Sequence, residues 1–195
     1  MTAQNLEQNR LKNRSLQLSS ITWQQFKAIE TSFDPIPGVR LIYLDGVLEI
    51  VILGRDHEYY KSTISLLLEA YLRAKKIRFY RQGSATLGDQ EITGQKEPDE
   101  SYSIGSQKER PDLVIEVVVS SGGIDTLEIY KRIGIQEVWF WEDGGLKIYG
   151  LQETYQLLEK SGLLPELNIE VLTKYITYYD QYDAVTEFLK ELSLE

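Results

Sequence analysis

The segment Arg-Pro-Asp-Leu-Val-Ile-Glu-Val-Val-Val at residues 110–119 contains an apolar run that only Glu116 interrupts. Proline precedes the run and Ser-Ser-Gly-Gly at 120–123 follows it, which is typical of a β-strand buried on both faces. A lone carboxylate in such a strand is costly unless a partner compensates its charge. No basic residue lies within the strand itself, so the partner must come from elsewhere in the fold. A hard divalent cation is one candidate.

A second Pro-Asp pair ends at Asp99, thirteen residues before Asp112. Asp112 and Glu116 point to the same face of the predicted strand, but they lie roughly 13 Å apart along it. One ion cannot bridge that distance. Residues 99–104 can form a neighbouring strand, with 105–110 as the turn, so Asp99 is the better companion for Glu116. The residues alone leave open an alternative in which both aspartates are turn residues and Glu116 pairs with a lysine or arginine.

The composition narrows the chemistry that the chain can perform. The 195 residues include no cysteine, which excludes disulfides and thiolate sites and fits a reducing cytoplasm, where we expect the protein. His57 is the single histidine, so zinc sites with several histidines are excluded. No Walker or dinucleotide-binding glycine pattern is present, and no apolar stretch is long enough to cross a membrane. Carboxylates, lysines and a metal ion remain as the reactive groups.

The net charge argues against a nucleic-acid substrate without excluding one. The chain has 21 lysines and arginines against 30 aspartates and glutamates, which gives a formal charge of −9. Duplex binding normally depends on basic residues that replace phosphate counterions. Charge can be segregated, however, and Lys108 and Arg110 flank the segment that carries Glu116.

The remaining pattern predicts an α/β chain with a mixed sheet flanked by helices. Residues 1–20 are polar, and we expect a flexible tail there, followed by a single domain over 21–195. Asp45-Gly46 favours a type I′ turn between strands at 39–44 and 47–53, whereas 88–97 has the composition of a polar loop. The predicted helices cover about ten residues after Thr22, the segment from Asp56 to about 75, 124–133 before Gly134, 169–175 and 182–192, and further strands cover 77–82, 136–141, 146–151 and 154–159.

Several of these motifs, taken in order, resemble those of the Uma-type restriction endonuclease family, which belongs to the PD-(D/E)XK nuclease superfamily. The likeness covers roughly residues 22–175. It implies a restriction-endonuclease-like fold, with a central mixed β-sheet and helices on both sides. The motifs are Asp45-Gly46, His57 at a helix start, Glu-Pro-Asp at 97–99, the segment 110–117 with Glu116, Ser-Gly-Gly-Ile-Asp-Thr-Leu-Glu-Ile-Tyr at 121–130 and Gly-Ile-Gln-Glu-Val-Trp at 134–139.

The resemblance implies roles for particular residues. Asp99 matches the aspartate of the Pro-Asp motif and Glu116 the second acidic residue, and together they would hold Mg²⁺ or Mn²⁺. Glu58 matches an extra acidic residue on the first long helix. The implied reaction is metal-dependent hydrolysis of DNA phosphodiester bonds. Accessory candidates are His57, Asp112 and Lys131.

One departure from the superfamily pattern concerns its lysine. The superfamily places a lysine two residues after the second acid, where this chain has Val118. This branch commonly moves it to the following helix, where the chain has Thr126. Lys131 is five residues further along that helix and faces about 140° away. The alternatives are a weak nuclease, an enzyme that uses a different basic residue, and an inactive relative that serves as an interaction or self-association module.

The same resemblance indicates partners. DNA is the expected substrate, and no membrane is involved. A homodimer is expected because duplex-cutting enzymes of the superfamily often pair. The candidate interface is the aromatic C-terminal segment with Tyr175, Tyr178, Tyr179 and Tyr182.

Overall fold

A computed structural model of the protein describes residues 14–34, 36–118 and 124–193. In these residues eleven strands form two sheets, and five helices pack against them. In chain order the elements are β1 (Arg14–Leu18), α1 (Trp23–Phe33), β2 (Val39–Leu44), β3 (Val47–Ile52), α2 (Arg55–Ala74), β4 (Phe79–Arg81), β5 (Leu87–Asp89), β6 (Gly94–Lys96), β7 (Glu100–Ile104), β8 (Leu113–Val118), α3 (Thr126–Ile133), β9 (Glu137–Glu142), β10 (Gly145–Leu151), β11 (Tyr155–Leu158), α4 (Ile169–Ile176) and α5 (Gln181–Leu192).

The larger sheet is mixed and has the strand order β11-β10-β9-β8-β7-β4. The apolar segment that contains Glu116 forms β8, which lies inside this sheet, parallel to β9 and antiparallel to β7. Its alternate residues Leu113, Ile115 and Val117 enter a core with α2, α4 and α5. Its other face therefore carries Val114 and Glu116, because side chains alternate along a strand. The predicted mixed sheet is confirmed.

The second sheet is antiparallel and has the strand order β1-β3-β2-β6-β5. Its β2–β3 hairpin turns at Asp45 and Gly46, whose φ angles are 47° and 84°, in agreement with the predicted type I′ turn. This sheet contacts the larger one through α3. Ile129 and Tyr130 of α3 pack with Val114 of the larger sheet and Leu87 of the smaller one. The sequence predicts one sheet, whereas the structure has two, and α3 packs between them.

The structure differs from two of the sequence-based predictions. Residues 14–18 were assigned to a flexible tail over 1–20, but they form β1, whose register pairs Arg14 with Ile52 of β3. The folded domain therefore begins before residue 21, and residues 1–13 lie outside the described part of the chain. The segment 88–97 was predicted as a polar loop. It contains the end of β5 and all of β6, whose three residues are buried.

The helices otherwise follow the predicted boundaries. Thr22 forms a capping box with Gln25 at the start of α1, and Gly134 ends α3 with φ 84°. The sequence predicts Asp56 as the N-cap of the long helix α2, but the N-cap is Gly54. None of the described helices is long and apolar enough to span a bilayer.

Candidate active site

A cavity of about 210 Å³ lies where the two sheets meet. The β2–β3 hairpin and β6 form one wall, β8 and Phe140 form another, and the first turns of α2 and α3 contribute His57 and Thr126. Asp99 and Glu116 both line it. Glu116 faces the cavity because it lies on the face of β8 opposite the main core. The sheet pairing thus brings together the two acids that the sequence singled out.

Asp99 immediately precedes β7, and its carboxylate is fixed from two sides. The backbone N–H of Val117 donates to Oδ2 at 2.7 Å, and Nε2 of His57 donates to Oδ1 at 2.7 Å. Burial alone would raise the pKa of the Asp99 carboxyl. The hydrogen bond and charge of His57, with the charge of Lys96 and the Val117 N–H, outweigh burial and lower that pKa below its ordinary value. Asp99 is therefore held as an anion.

Glu116 is paired with a cation that the sequence analysis did not single out. Nζ of Lys96 lies 2.6 Å from Oε1 of Glu116, and the hydroxyl of Tyr130 donates to the same oxygen. Burial raises the pKa of the Glu116 carboxyl, Lys96 partly offsets this, and the negative charge of Asp99 adds to the rise. Burial and Glu116 also raise the pKa of the Tyr130 hydroxyl, so Tyr130 stays a proton donor.

Carboxylate oxygens, which Mg²⁺ and Mn²⁺ prefer as ligands, line the cavity. Mg²⁺ in phosphate-processing sites takes one or two carboxylates and completes its shell with water and substrate oxygens. Asp99 and Glu116 are the carboxylates that the sequence predicts for that role. Glu49 and Glu97 also line the cavity, which has room for several waters at about 30 Å³ each. Among the described residues, no group of three or more His, Cys, Asp or Glu side chains is arranged to hold a metal ion. An ion here would therefore have at most two such side chains as ligands.

Three residues named from the sequence lie elsewhere. Glu58 is exposed on α2 and is not among the described residues that line the cavity. Asp112, at the other end of β8, pairs with Lys108 at 2.7 Å and accepts from the N–H of Ile104, which makes it a turn residue. Lys131 pairs with Glu128 at 3.8 Å on α3, away from the described lining.

The cavity contains residues that the sequence analysis missed. Lys96 is the main one, and the run Lys-Glu-Pro-Asp at 96–99 was its only local signal. Glu49 of β3 is 4% exposed, and its Oε2 accepts from the N–H of Ile124 at 2.8 Å. Arg40 of β2 also lines the cavity and has Nε 3.3 Å from Oε2 of Glu97. These side chains come from strands whose contact with β8 is tertiary, so no spacing rule relates them to Glu116.

Comparison with known proteins gives one family match. A family model described as "Uma2: Putative restriction endonuclease" matches residues 23–181. The matched range includes both acids, His57, Lys96 and Tyr130, and it ends in the first residue of α5. No curated protein matches the chain.

Proposed function

The chain belongs to the Uma2 family, and from that premise and the site geometry we propose that it is a metal-dependent endonuclease that hydrolyses DNA phosphodiester bonds. The observation that carries the proposal is that Asp99 and Glu116 line one cavity. Their positions follow from the register that pairs Glu100 of β7 with Ile115 of β8.

Asp99 and Glu116 would hold Mg²⁺ or Mn²⁺. When bound, such an ion lowers the pKa of a coordinated water and offsets the charge of a phosphate. The protein's own contribution is orientation. His57 and the Val117 N–H fix both oxygens of Asp99, and Tyr130 fixes one oxygen of Glu116. Because these partners come from three different elements, the two carboxylates are positioned before any substrate arrives.

A second candidate function is a catalytically inactive interaction module with a nuclease fold. The observation in its favour is the ion pair between Lys96 and Glu116, because an ammonium 2.6 Å from the carboxylate compensates the charge that a metal ion would otherwise compensate. The strongly acidic chain, with a net charge of −9, also favours protein contacts over DNA contacts.

Cleavage and metal binding measured together test the proposal. Wild type, Asp99→Asn and Glu116→Gln are incubated with single-stranded, duplex and branched DNA in Mg²⁺ or Mn²⁺, and Mn²⁺ binding is followed by calorimetry. We expect metal-dependent cleavage by wild type, with loss of cleavage and metal binding in both variants. Glu153→Gln, on an exposed residue, is the matched control. Wild type that cleaves none of these substrates, or variants that still cleave, would overturn the proposal and favour the interaction module.

The partners proposed with this activity are DNA and a second copy of the chain. Of the four tyrosines predicted for an interface, Tyr175 is buried in the core, whereas Tyr179 and Tyr182 are 78% and 79% exposed. Light scattering of wild type and of Tyr179→Ser with Tyr182→Ser tests the pairing, and an unchanged molar mass contradicts this interface. The cytoplasm is the compartment that we propose, since a cysteine-free chain suits a reducing environment.

A further inference from the structure

The two positions where a lysine was expected both line the cavity. Val118 ends β8 and Thr126 begins α3, and each is part of the cavity wall. Neither side chain carries a charge. The cavity therefore lacks a cation at the two places from which the superfamily pattern would supply one.

Lys96 reaches the same cavity from the other sheet. It is the last residue of β6, its side chain is 6% exposed, and its Nζ lies 2.6 Å from Glu116 Oε1. The same Nζ lies 5.4 Å from the ring centroid of Tyr130. A lysine buried to this extent costs free energy unless it is paired, and its placement against the second acid puts a positive charge at the centre of the site.

Lys96 and Asp99 are close to each other in the sequence and both line the cavity. Only Glu97 and Pro98 separate them, and Pro98 is buried. Lys96 is held in the smaller sheet by the pairing of β6 with β2 and β5, and Asp99 is held in the larger one by its bond to Val117. The lysine and the first acid are therefore fixed at the two ends of one tetrapeptide.

In the described part of the chain, the ion pair with Glu116 uses fewer donors than the ammonium group of Lys96 offers. A lysine presents three N–H donors, of which Glu116 engages one by the ion pair described above. Lysine binds phosphate as a point charge, and the transition state of phosphoryl transfer carries negative charge on the phosphate oxygens. A phosphodiester that enters the cavity would meet this charge next to both acids.

We propose that Lys96 is the catalytic lysine of this site, supplied by β6 to contact the scissile phosphate in place of a lysine at position 118 or 126. The inference rests on the proposed nuclease function. In the hydrolysis the attacking water gives one proton to the solvent as its oxygen bonds to phosphorus, the bond from phosphorus to the leaving oxygen breaks, and the leaving oxygen takes up one proton from the solvent. Lys96 keeps its proton throughout and stabilises the charge on the phosphate.

Moving the lysine within the cavity tests this assignment. We compare wild type, Lys96→Met, Lys96→Arg and the double variant Lys96→Met with Thr126→Lys. Single-turnover cleavage of duplex DNA in Mn²⁺ should fall about 100-fold in Lys96→Met, the loss seen when one donor to a developing oxyanion is removed. Thr126→Lys should recover at least about ten-fold of that loss, because it returns an ammonium to the same cavity. Lys96→Arg should keep part of the rate.

A second readout separates catalysis from folding. Thermal unfolding of each variant identifies the temperature at which all are folded, and the rates are compared there. Binding of a labelled duplex in Ca²⁺ should weaken in Lys96→Met and recover in the double variant. A merely structural ion pair predicts a lowered unfolding temperature, unchanged rates among folded molecules and no recovery from Thr126→Lys, and that result would overturn the assignment.

The two proposals fail in different ways. Active wild type with equally active Lys96→Met refutes the role of Lys96 and leaves the nuclease function standing. Wild type that cleaves no DNA refutes both, and Lys96 is then a partner of Glu116 and no catalytic residue.

Discussion

The backbone N–H of Val117 donates a 2.7 Å hydrogen bond to Oδ2 of Asp99, which ties the first acid to the peptide unit directly after the second. This side-chain bond lies just beyond the last backbone pair of β7 and β8, which joins Glu100 to Ile115. The separation of the two carboxylates is therefore set by the backbone of adjacent strands. A shift in the register of β7 against β8 would move the two carboxylates apart and would also break the backbone hydrogen bonds between these strands.

His57→Ala should destabilise the protein. His57 is 2% exposed and donates to the buried carboxylate of Asp99, so its removal leaves one charged oxygen without that donor. We expect a loss of about 2 kcal/mol in the free energy of unfolding, measured by urea denaturation. Glu153→Ala, at an exposed residue, is the control and should change stability by less than about 0.5 kcal/mol. Equal stabilities of the two variants would contradict the importance of this bond.

Glu137→Gln should be among the more damaging conservative substitutions. The Glu137 carboxylate is 3% exposed and accepts hydrogen bonds from Trp139 Nε1 at 2.9 Å, Ser161 Oγ at 2.8 Å and the N–H of Leu163 at 2.9 Å. Gly162 N–H donates to it as well. An amide would place its own donors against some of these groups.

The expected loss for Glu137→Gln is at least about 2 kcal/mol of unfolding free energy, read from chemical denaturation. The same exchange at exposed Glu153 controls for the change of charge. A small effect at Glu137 would mean that the loop at 161–163 is held by other contacts.

Gly88→Ala should disturb the strand that carries Lys96. Gly88 has φ +95°, and a Cβ there would overlap the carbonyl oxygen of Gly94 across the β5–β6 pair. The strain and the clash together should cost about 3 kcal/mol. Gly105→Ala is the matched control. It has φ +82° but nothing within 4 Å of the added carbon, so only its backbone conformation should cost, by about 1 kcal/mol.

Thermal unfolding of the two glycine variants gives the comparison. If Gly88→Ala also lowers DNA cleavage at a temperature where it is folded, and Gly105→Ala does not, then the position of β6 matters for the site. Equal unfolding temperatures would contradict the close approach of the two glycine backbones.

Asp45→Asn should lower stability at neutral pH, with an effect that fades in acid. The guanidinium of Arg132 makes two 2.8 Å hydrogen bonds to Asp45. These bonds, with one from Thr93, hold the pKa of the Asp45 carboxyl at about 2, below the value of about 3.9 for an unfolded chain. A depressed pKa contributes stability above about pH 4 and loses it as the pH falls towards 2.

We expect Asp45→Asn to cost about 0.5 kcal/mol at pH 7, since the pair is largely exposed, and less with each step below pH 4. Urea midpoints of wild type and variant between pH 7 and pH 3 provide the measurement. Asp143→Asn is the control, because Asp143 also has a positive φ in a hairpin turn and takes part in none of the ion pairs of the described residues. A difference that grows in acid would contradict the sign.

Local signals predicted most of the fold correctly. The helix start after Thr22, the turn at Asp45-Gly46 and the helix end at Gly134 depend on neighbouring residues, and the structure confirms all three. β5 and β6 were missed because their burial has a tertiary cause. Gln95 and Lys96 are polar, and they are buried only because β6 is covered by α3, β2 and the ion pair with Glu116. Hydrophobic periodicity cannot detect such a strand.

The sequence also predicted part of the candidate site. Asp99 and Glu116 followed from motif order and strand adjacency, and the structure brings them together. Asp112 carries the same Pro-Asp signal as Asp99, yet it pairs with Lys108. The sequence could not distinguish the two aspartates, because the pattern does not show which end of a strand faces a cavity. Lys96 belongs to a different sheet from Glu116, so its contact could be recognised only after the two sheets were placed against each other.

The short path from Lys96 to Asp99 has a mechanical consequence. Four consecutive residues bridge the two layers, and the charges at the ends of that bridge both face the space between them. A ligand that contacts both Lys96 and Asp99 would connect the two sheets, so we expect bound ligand to slow the separation of the sheets during unfolding. Substrate binding and the stability of the fold then depend on the same charged side chains.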